Sequence, residues 1–216
     1  MPRFDDHVVP NIRDMSYGPA FAKACEKDHG LGSWTFGEIL RLMFRPQSVI
    51  DLGSGIGFTL APLYRAGVKC YAVDFSDAGN PYMEMVAPGL SGHFLQHDLS
   101  QPLRLGARYD LCVTVETAEH LPPEAAETFV MSCCKAADTV VFTACPPPGH
   151  GNPLHLNEQP FPYWVEKFET HGYAVDEKRT GALRAIMRNL SQVVDYTIPS
   201  WLFDTYLAIF VKGEAE

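Results

Sequence analysis

Five residues, Ser48-Val-Ile-Asp51-Leu52, form a short apolar run that leads straight into glycines at alternate positions, Gly53-Ser54-Gly55-Ile-Gly57. An apolar strand followed by closely spaced glycines predicts a tight strand-to-helix turn whose backbone comes close to a ligand, because glycine alone reaches positive φ without strain. Asp51 stands two residues before the first glycine. A carboxylate there would repel a dinucleotide pyrophosphate and attract a ligand carrying an amino group and a sulfonium.

The segments that follow alternate between strand and helix signals. Cys70 to Asp74, His93 to Asp98, Tyr109 to Glu116 and Asp138 to Ala144 read as strands 2 to 5. Helices are expected over 59–66, 82–86 and 123–137, the first ending at Gly67. Such alternation predicts a mostly parallel sheet with right-handed crossovers. A further helix is expected from Phe161 to His171, strand 6 from Tyr173 to Glu177 and strand 7 from Tyr206 to Val211. Residues 1–45 read as an N-terminal helical cap. In it, a helix over 19–28 ends at His29-Gly30, and a second over 35–44 opens on a Thr35/Glu38 capping box. Residues 180–204 read as an insertion whose stripe of Leu183, Ile186, Met187, Leu190, Val193 and Val194 packs on the sheet, closes a pocket or meets a second copy of the chain. The whole of 1–216 is expected to be one domain, a length that suits a single α/β core.

Asp51, Asp74 and Asp98 fall at the C-terminal ends of three successive predicted strands, the ligand edge of an open sheet. An acid after strand 2 can accept from both hydroxyls of a ribose, and one after strand 3 can meet the exocyclic amine of adenine. This series, the glycine loop and Tyr109-Asp-Leu-Cys-Val-Thr-Val-Glu116 resemble motifs I to IV of the class I S-adenosylmethionine-dependent methyltransferases. The resemblance implies a three-layer sandwich around a seven-stranded sheet, in order 3-2-1-4-5-7-6 with strand 7 antiparallel. It implies S-adenosylmethionine as cofactor and S-adenosylhomocysteine as product. Asp51, Gly53, Ser54, Gly55 and Gly57 would hold the methionyl part, Asp74 and Phe75 the ribose, Asp98 and Leu99 the adenine, and Glu116 would lie beside the cofactor.

A nicotinamide-dependent oxidoreductase uses the same fold edge, but the glycine spacing, the place of Asp51 and the lack of a clear Tyr-x-x-x-Lys pair disfavour it. A binding module that keeps the pocket without turnover is the other alternative.

The acceptor is expected beyond strands 4 and 5. His120 follows strand 4 in Glu116-Thr-Ala-Glu-His120-Leu-Pro122, a pattern that in the family mostly shapes the cofactor pocket. His155, in His155-Leu-Asn157-Glu-Gln159, stands before Tyr163-Trp164 in a segment similar to a subgroup of bacterial and phage methyltransferases. His155 is read as the base or acceptor-orienting group, with His120 the second catalytic candidate. Asn157, Gln159 and Tyr163 are read as substrate-binding, although Asn157 could equally cap the next helix, and Trp164 reads as core. The reaction expected is O-methylation of a small hydroxylated metabolite or sugar, with N- and carboxyl-methylation as alternatives. No metal site is assembled from the sequence.

The net charge of −9 disfavours a nucleic-acid partner, with Arg179, Arg184 and Arg188 the residues that could still form a basic patch. No run reaches the ~18 apolar residues of a membrane span. The six cysteines form no C-x-x-C pair, and with no apolar leader at the start they read as reduced thiols of a cytoplasmic protein.

Overall fold

In the computed structural model, which describes residues 18–148 and 152–213, alternate residues of β1 (Ser48–Leu52) enter two different cores. Val49 packs with Phe36, Leu63, Leu111 and Ile209 on one side, and Ile50 packs with Cys112, Phe129, Val140 and Trp164 on the other. The strand is buried on both faces, so its apolar run is continuous, as parallel strands covered by helices require.

Around β1 lie β2 (Lys69–Asp74), β3 (Phe94–Gln96), β4 (Leu111–Thr114), β5 (Thr139–Phe142), β6 (Tyr173–Val175) and β7 (Ala208–Lys212). The sheet order is 3-2-1-4-5-7-6, and β7 runs antiparallel to both β5 and β6. The predicted topology therefore holds, with strands shorter at their ends. Asp74 closes β2, but β3 ends at Gln96. Asp98 lies past it and caps the following turn by accepting from the Ser100 N–H.

One helical layer holds α1 (Pro19–Phe44), α2 (Ala61–Arg65), α3 (Asn80–Val86) and α6 (Glu177–Ser191). The opposite layer holds α4 (Ala126–Ala136) and α5 (Phe161–Thr170), around a cluster of Phe142, Trp164, Phe168 and Phe210. Trp164 is fully buried there, as expected of a core residue.

The two short helices expected in the cap are one continuous helix. Gly30 does not end it. A Cβ at Gly30 would meet the Phe58 ring at 2.9 Å, and one at Gly32 would meet the Thr197 carbonyl at 2.7 Å. These glycines are the flat side on which the helix docks, and that contact outweighs their low helix propensity. Thr35 forms no capping box either. Its hydroxyl bonds Tyr196 at 2.6 Å, and Glu38 pairs with Arg41. Residues 1–17 of the predicted cap lie outside the described residues.

The predicted insertion is α6 and the turn after it. α6 starts at Glu177, which the sequence placed in strand 6, because Asp176 caps it by accepting from the Arg179 N–H. Leu183 and Met187 are buried against the sheet, whereas Ile186 and Val193 face outward. Arg184 donates to the carbonyls of Leu207 and Thr205, and Arg188 to that of Phe203. Arg184 and Arg188 thus brace the return to β7, and Arg179 pairs with Asp176 at the start of its own helix. No helix among the described residues is long and apolar enough to cross a membrane.

Candidate active site

The glycine loop turns at the C-terminal end of β1, with Gly53, Gly55 and Gly57 all at positive φ. A Cβ on Gly53 would run into Thr117 and one on Gly57 into Met83, while one on Gly55 would meet nothing. Gly55 also donates its N–H to Asp74 Oδ2 at 2.8 Å, and Ser76 donates to Asp74 Oδ1 at 3.0 Å. The backbone thus fixes the Asp74 carboxylate beside the loop. A carboxylate has about four acceptor sites, so acceptor capacity remains for a ligand.

These groups line a cavity of about 420 Å³. Asp51, Gly53, Ser54, Gly55, Asp74, Phe75, Asp98, Leu99 and Glu116 all reach it, whereas Gly57 serves the packing behind it. Asp51 is 4 % exposed. Burial pushes its carboxyl up to about 8, and the Asp74 charge adds to the effect. Asp74 is also raised by burial, while its bonds from backbone N–H groups pull the other way. Such a cavity favours a ligand that carries positive charge.

The far wall comes from the loops after β4 and β5. Glu116 has the left-handed φ of 49°, a strained conformation for a non-glycine residue. It is held twice by Thr143, which accepts from the Glu116 N–H at 2.9 Å and donates to Glu116 Oε1 at 2.8 Å. The turn Ala118–His120 follows, with Glu119 fully buried. The 152–157 loop docks on this turn: Leu156 and Asn157 both donate N–H groups to the Glu119 carbonyl, at 2.7 and 2.9 Å. His120 donates from Nδ1 to the Leu154 carbonyl at 3.2 Å.

The docking brings the two predicted histidines together, with ring centres 4.6 Å apart in an edge-to-face pair. His155 donates from Nδ1 to Glu158 Oε1 at 2.8 Å. Both imidazoles line the cavity. Burial, and then the neighbouring His155, lower His120 to about 4, so it is neutral near pH 7. Burial raises Glu116 to about 7 and holds Glu119 well above the ordinary carboxylate range, the Glu116 charge adding to the latter.

The three residues read as substrate-binding lie outside the cavity lining. Asn157 is buried and accepts from Gln159 Nε2 at 2.9 Å, forming an internal brace. It does not cap α5, whose N-cap is Pro160. Tyr163 packs on Trp164 and under Lys167. The His-x-Asn-x-Gln spacing thus places one side chain, His155, in the cavity, while the other two bond each other outside it. Sequence reasoning also missed wall residues: Phe21, Cys25 and His29 from α1, Trp201 from the turn before β7, and Glu119. His29 and Trp201 pack edge-to-face at 4.9 Å. The one available signal was Glu119, three residues after Glu116 and directly before His120. Cys133 and Cys134 are buried in α4, away from the cavity.

Residues 50–137 match the methyltransferase domain family. A magnesium-protoporphyrin O-methyltransferase of Synechocystis sp. is 32% identical over 95 residues, a stretch that is 42% of this chain and 40% of that relative. Two solved structures show the same fold at lower identity. The 1,6-didemethyltoxoflavin-N1-methyltransferase of Burkholderia thailandensis, bound to 1,6-didemethyltoxoflavin and S-adenosylhomocysteine, superposes with a TM-score of 0.62 at 17% identity, over 99% of this chain and 93% of its own. The magnesium protoporphyrin IX methyltransferase of Synechocystis, with S-adenosylmethionine bound, gives 0.56 at 15%, over 97% and 87%. The matched segment, less than half of the chain, is a methyltransferase domain, and the chain as a whole shares the fold of these two solved methyltransferases. Their acceptors are unlike, so the acceptor here has to be argued from the cavity.

Proposed function

We propose that the protein transfers the methyl group of S-adenosylmethionine to a hydroxyl of a small metabolite or sugar. The observation that carries this reading is a single cavity with two chemically different ends. One end has the Gly55 backbone and the buried Asp51 and Asp74 carboxylates; the other has His120, His155, Glu116 and Glu119. In this reading Asp51 meets the methionyl ammonium, Asp74 takes the ribose hydroxyls and Asp98 with Leu99 borders the adenine. A cavity of this volume suits a small acceptor beside the cofactor, not a macromolecule threaded through it.

The cofactor carries the activation, so the protein has to align an oxygen ~3–3.5 Å from the methyl carbon and see its proton removed. His155 is the group proposed to orient that hydroxyl. Glu158 engages its Nδ1, which leaves Nε2 as the atom offered to a ligand. Isothermal titration with S-adenosylmethionine and S-adenosylhomocysteine tests the first half of the proposal, and binding of neither would overturn it. Incubation with labelled cofactor and pools of sugars, phenols, amines and carboxylates tests the second. Label is expected in a hydroxyl compound, and transfer only to an amine would refute the O-methyl assignment.

A further inference from the structure

We propose that Glu119, His120 and His155 bind a divalent transition-metal cation and that the acceptor hydroxyl is methylated as a ligand of that cation. The proposal rests on the methyltransferase reading above and states how its acceptor is held. One ligand atom from each of the three residues lies within 4.8 Å of the other two, and all three side chains line the cavity. Two imidazoles and one carboxylate are a donor set suited to first-row divalent cations, and three protein ligands leave coordination positions open for substrate.

An independent observation points the same way. Glu119 is 0 % exposed; the Glu116 carboxyl and the Cys145 backbone stand beside its carboxyl group, but neither carboxyl oxygen makes a hydrogen bond of good geometry. A carboxyl group so buried either keeps its proton or is met by a cation, and a bound cation would take the place of that proton. Among the described residues no lysine or arginine lines the cavity, and the Glu116 carboxyl beside Glu119 adds repulsion. The histidines are also set as ligands. Each has Nδ1 tied to an outer acceptor, the Leu154 carbonyl for His120 and the Glu158 carboxylate for His155. That bond fixes the tautomer with the lone pair on Nε2 and orients the ring, as outer partners of metal-bound histidines do. A second grouping, Cys145 with His155 and Glu158, is as compact, but Glu158 does not reach the cavity.

The cation would bind the hydroxyl oxygen and lower its pKa. The proton passes to the Glu116 carboxylate. The oxygen lone pair then forms the new O–CH₃ bond as the S–CH₃ bond breaks, and that bonding pair stays on sulfur to give S-adenosylhomocysteine. Neither the cation nor the acceptor changes oxidation state.

The test uses untagged full-length protein stripped with a chelator and titrated with Co²⁺ or Mn²⁺, with S-adenosylhomocysteine affinity measured on the same samples. One equivalent of cation is expected, with nitrogen couplings in the spin-resonance spectrum of bound Mn²⁺. His120→Ala and His155→Ala should each weaken cation binding about tenfold or more, on the scale of lost metal-site interactions, while His155→Ala still binds S-adenosylhomocysteine. Absence of stoichiometric cation binding, or an undiminished affinity in the double variant, would overturn the proposal while cofactor binding upholds the reading beneath it. Failure of the wild type to bind S-adenosylhomocysteine would overturn both. The wild-type spectrum decides the matter even where a variant does not fold: bound Mn²⁺ without nitrogen couplings excludes the two histidines as ligands.

Discussion

A side chain added at Gly55 would enter the cavity, whereas one added at Gly57 would enter Met83. The two glycines look alike in the chain and should fail differently. Gly55→Val is expected to fold, at a cost of about 1–2 kcal/mol for a left-handed non-glycine residue, and to lose S-adenosylmethionine binding in isothermal titration. Gly57→Val adds overpacking of about 1–3 kcal/mol to the same backbone cost and should show first as a lowered melting temperature. Equal loss of affinity at equal stability in both would refute this division. At Asp74 the carboxylate serves the Gly55 and Ser76 N–H groups as well as the proposed ribose. Asp74→Ala should therefore weaken cofactor affinity by about 1.5–3 kcal/mol, the scale of charge-assisted hydrogen bonds, and also destabilise the ligand-free protein. Unchanged affinity in a folded variant would place the ribose elsewhere.

At the scale of elements, α1 shows tertiary contact overriding local preference. By propensity alone, alanine in place of a mid-helix glycine stabilises by ~1 kcal/mol. At Gly37 the new Cβ would overlap the Thr59 carbonyl and press on Pro62 at 2.9 Å. Gly37→Ala should thus destabilise by about 1–3 kcal/mol, the cost of an overpacked contact. Urea denaturation reads the sign, and a gain in stability would show that the helix can slide away from α2. Gly30→Ala should be milder, since the obstacle there is the Phe58 ring, a side chain that can turn. Phe58 lines the cavity, so that variant should change cofactor affinity more than stability.

For the molecule as a whole, the buried acids make stability depend on pH and on ligand together. Asp51 has an ordinary carboxylate value of 3.8 when unfolded and about 8 when folded. Between those values the folded state holds a proton that the unfolded state has released, so stability falls as pH rises. Asp74 is shifted in the same direction. The melting temperature of the ligand-free protein should decline from about pH 4 to about pH 8, and Asp51→Asn should flatten the decline. Saturating S-adenosylmethionine should flatten it too, because its positive charges meet the ionised carboxylates. A ligand-free protein whose melting temperature rises over that range would contradict the burial of these acids.

The alternation of strands and helices in a mostly parallel sheet was legible without coordinates, while the order of the seven strands came only through the family resemblance that the motifs carry. Continuous apolar runs, helix-period segments between them and the glycine turn after β1 are local patterns, and right-handed crossovers then leave few ways to assemble them. The acid series was legible for the same reason, since each acid sits at or just past the end of its own strand. The acceptor end was legible only in part. His120 and His155 were recognisable as residues, but their edge-to-face contact exists because the Glu119 carbonyl accepts from the backbone N–H groups of Leu156 and Asn157. Asn157, Gln159 and Tyr163 share the His155 segment yet turn into the protein, a choice made by packing. The wall of His29 and Trp201 joins residues far apart in the chain. Periodicity and spacing record which face of an element is buried, because burial leaves its mark on neighbours in sequence. Which distant side chains meet across the cavity depends on how whole elements dock, and for this protein only the tertiary structure decided that.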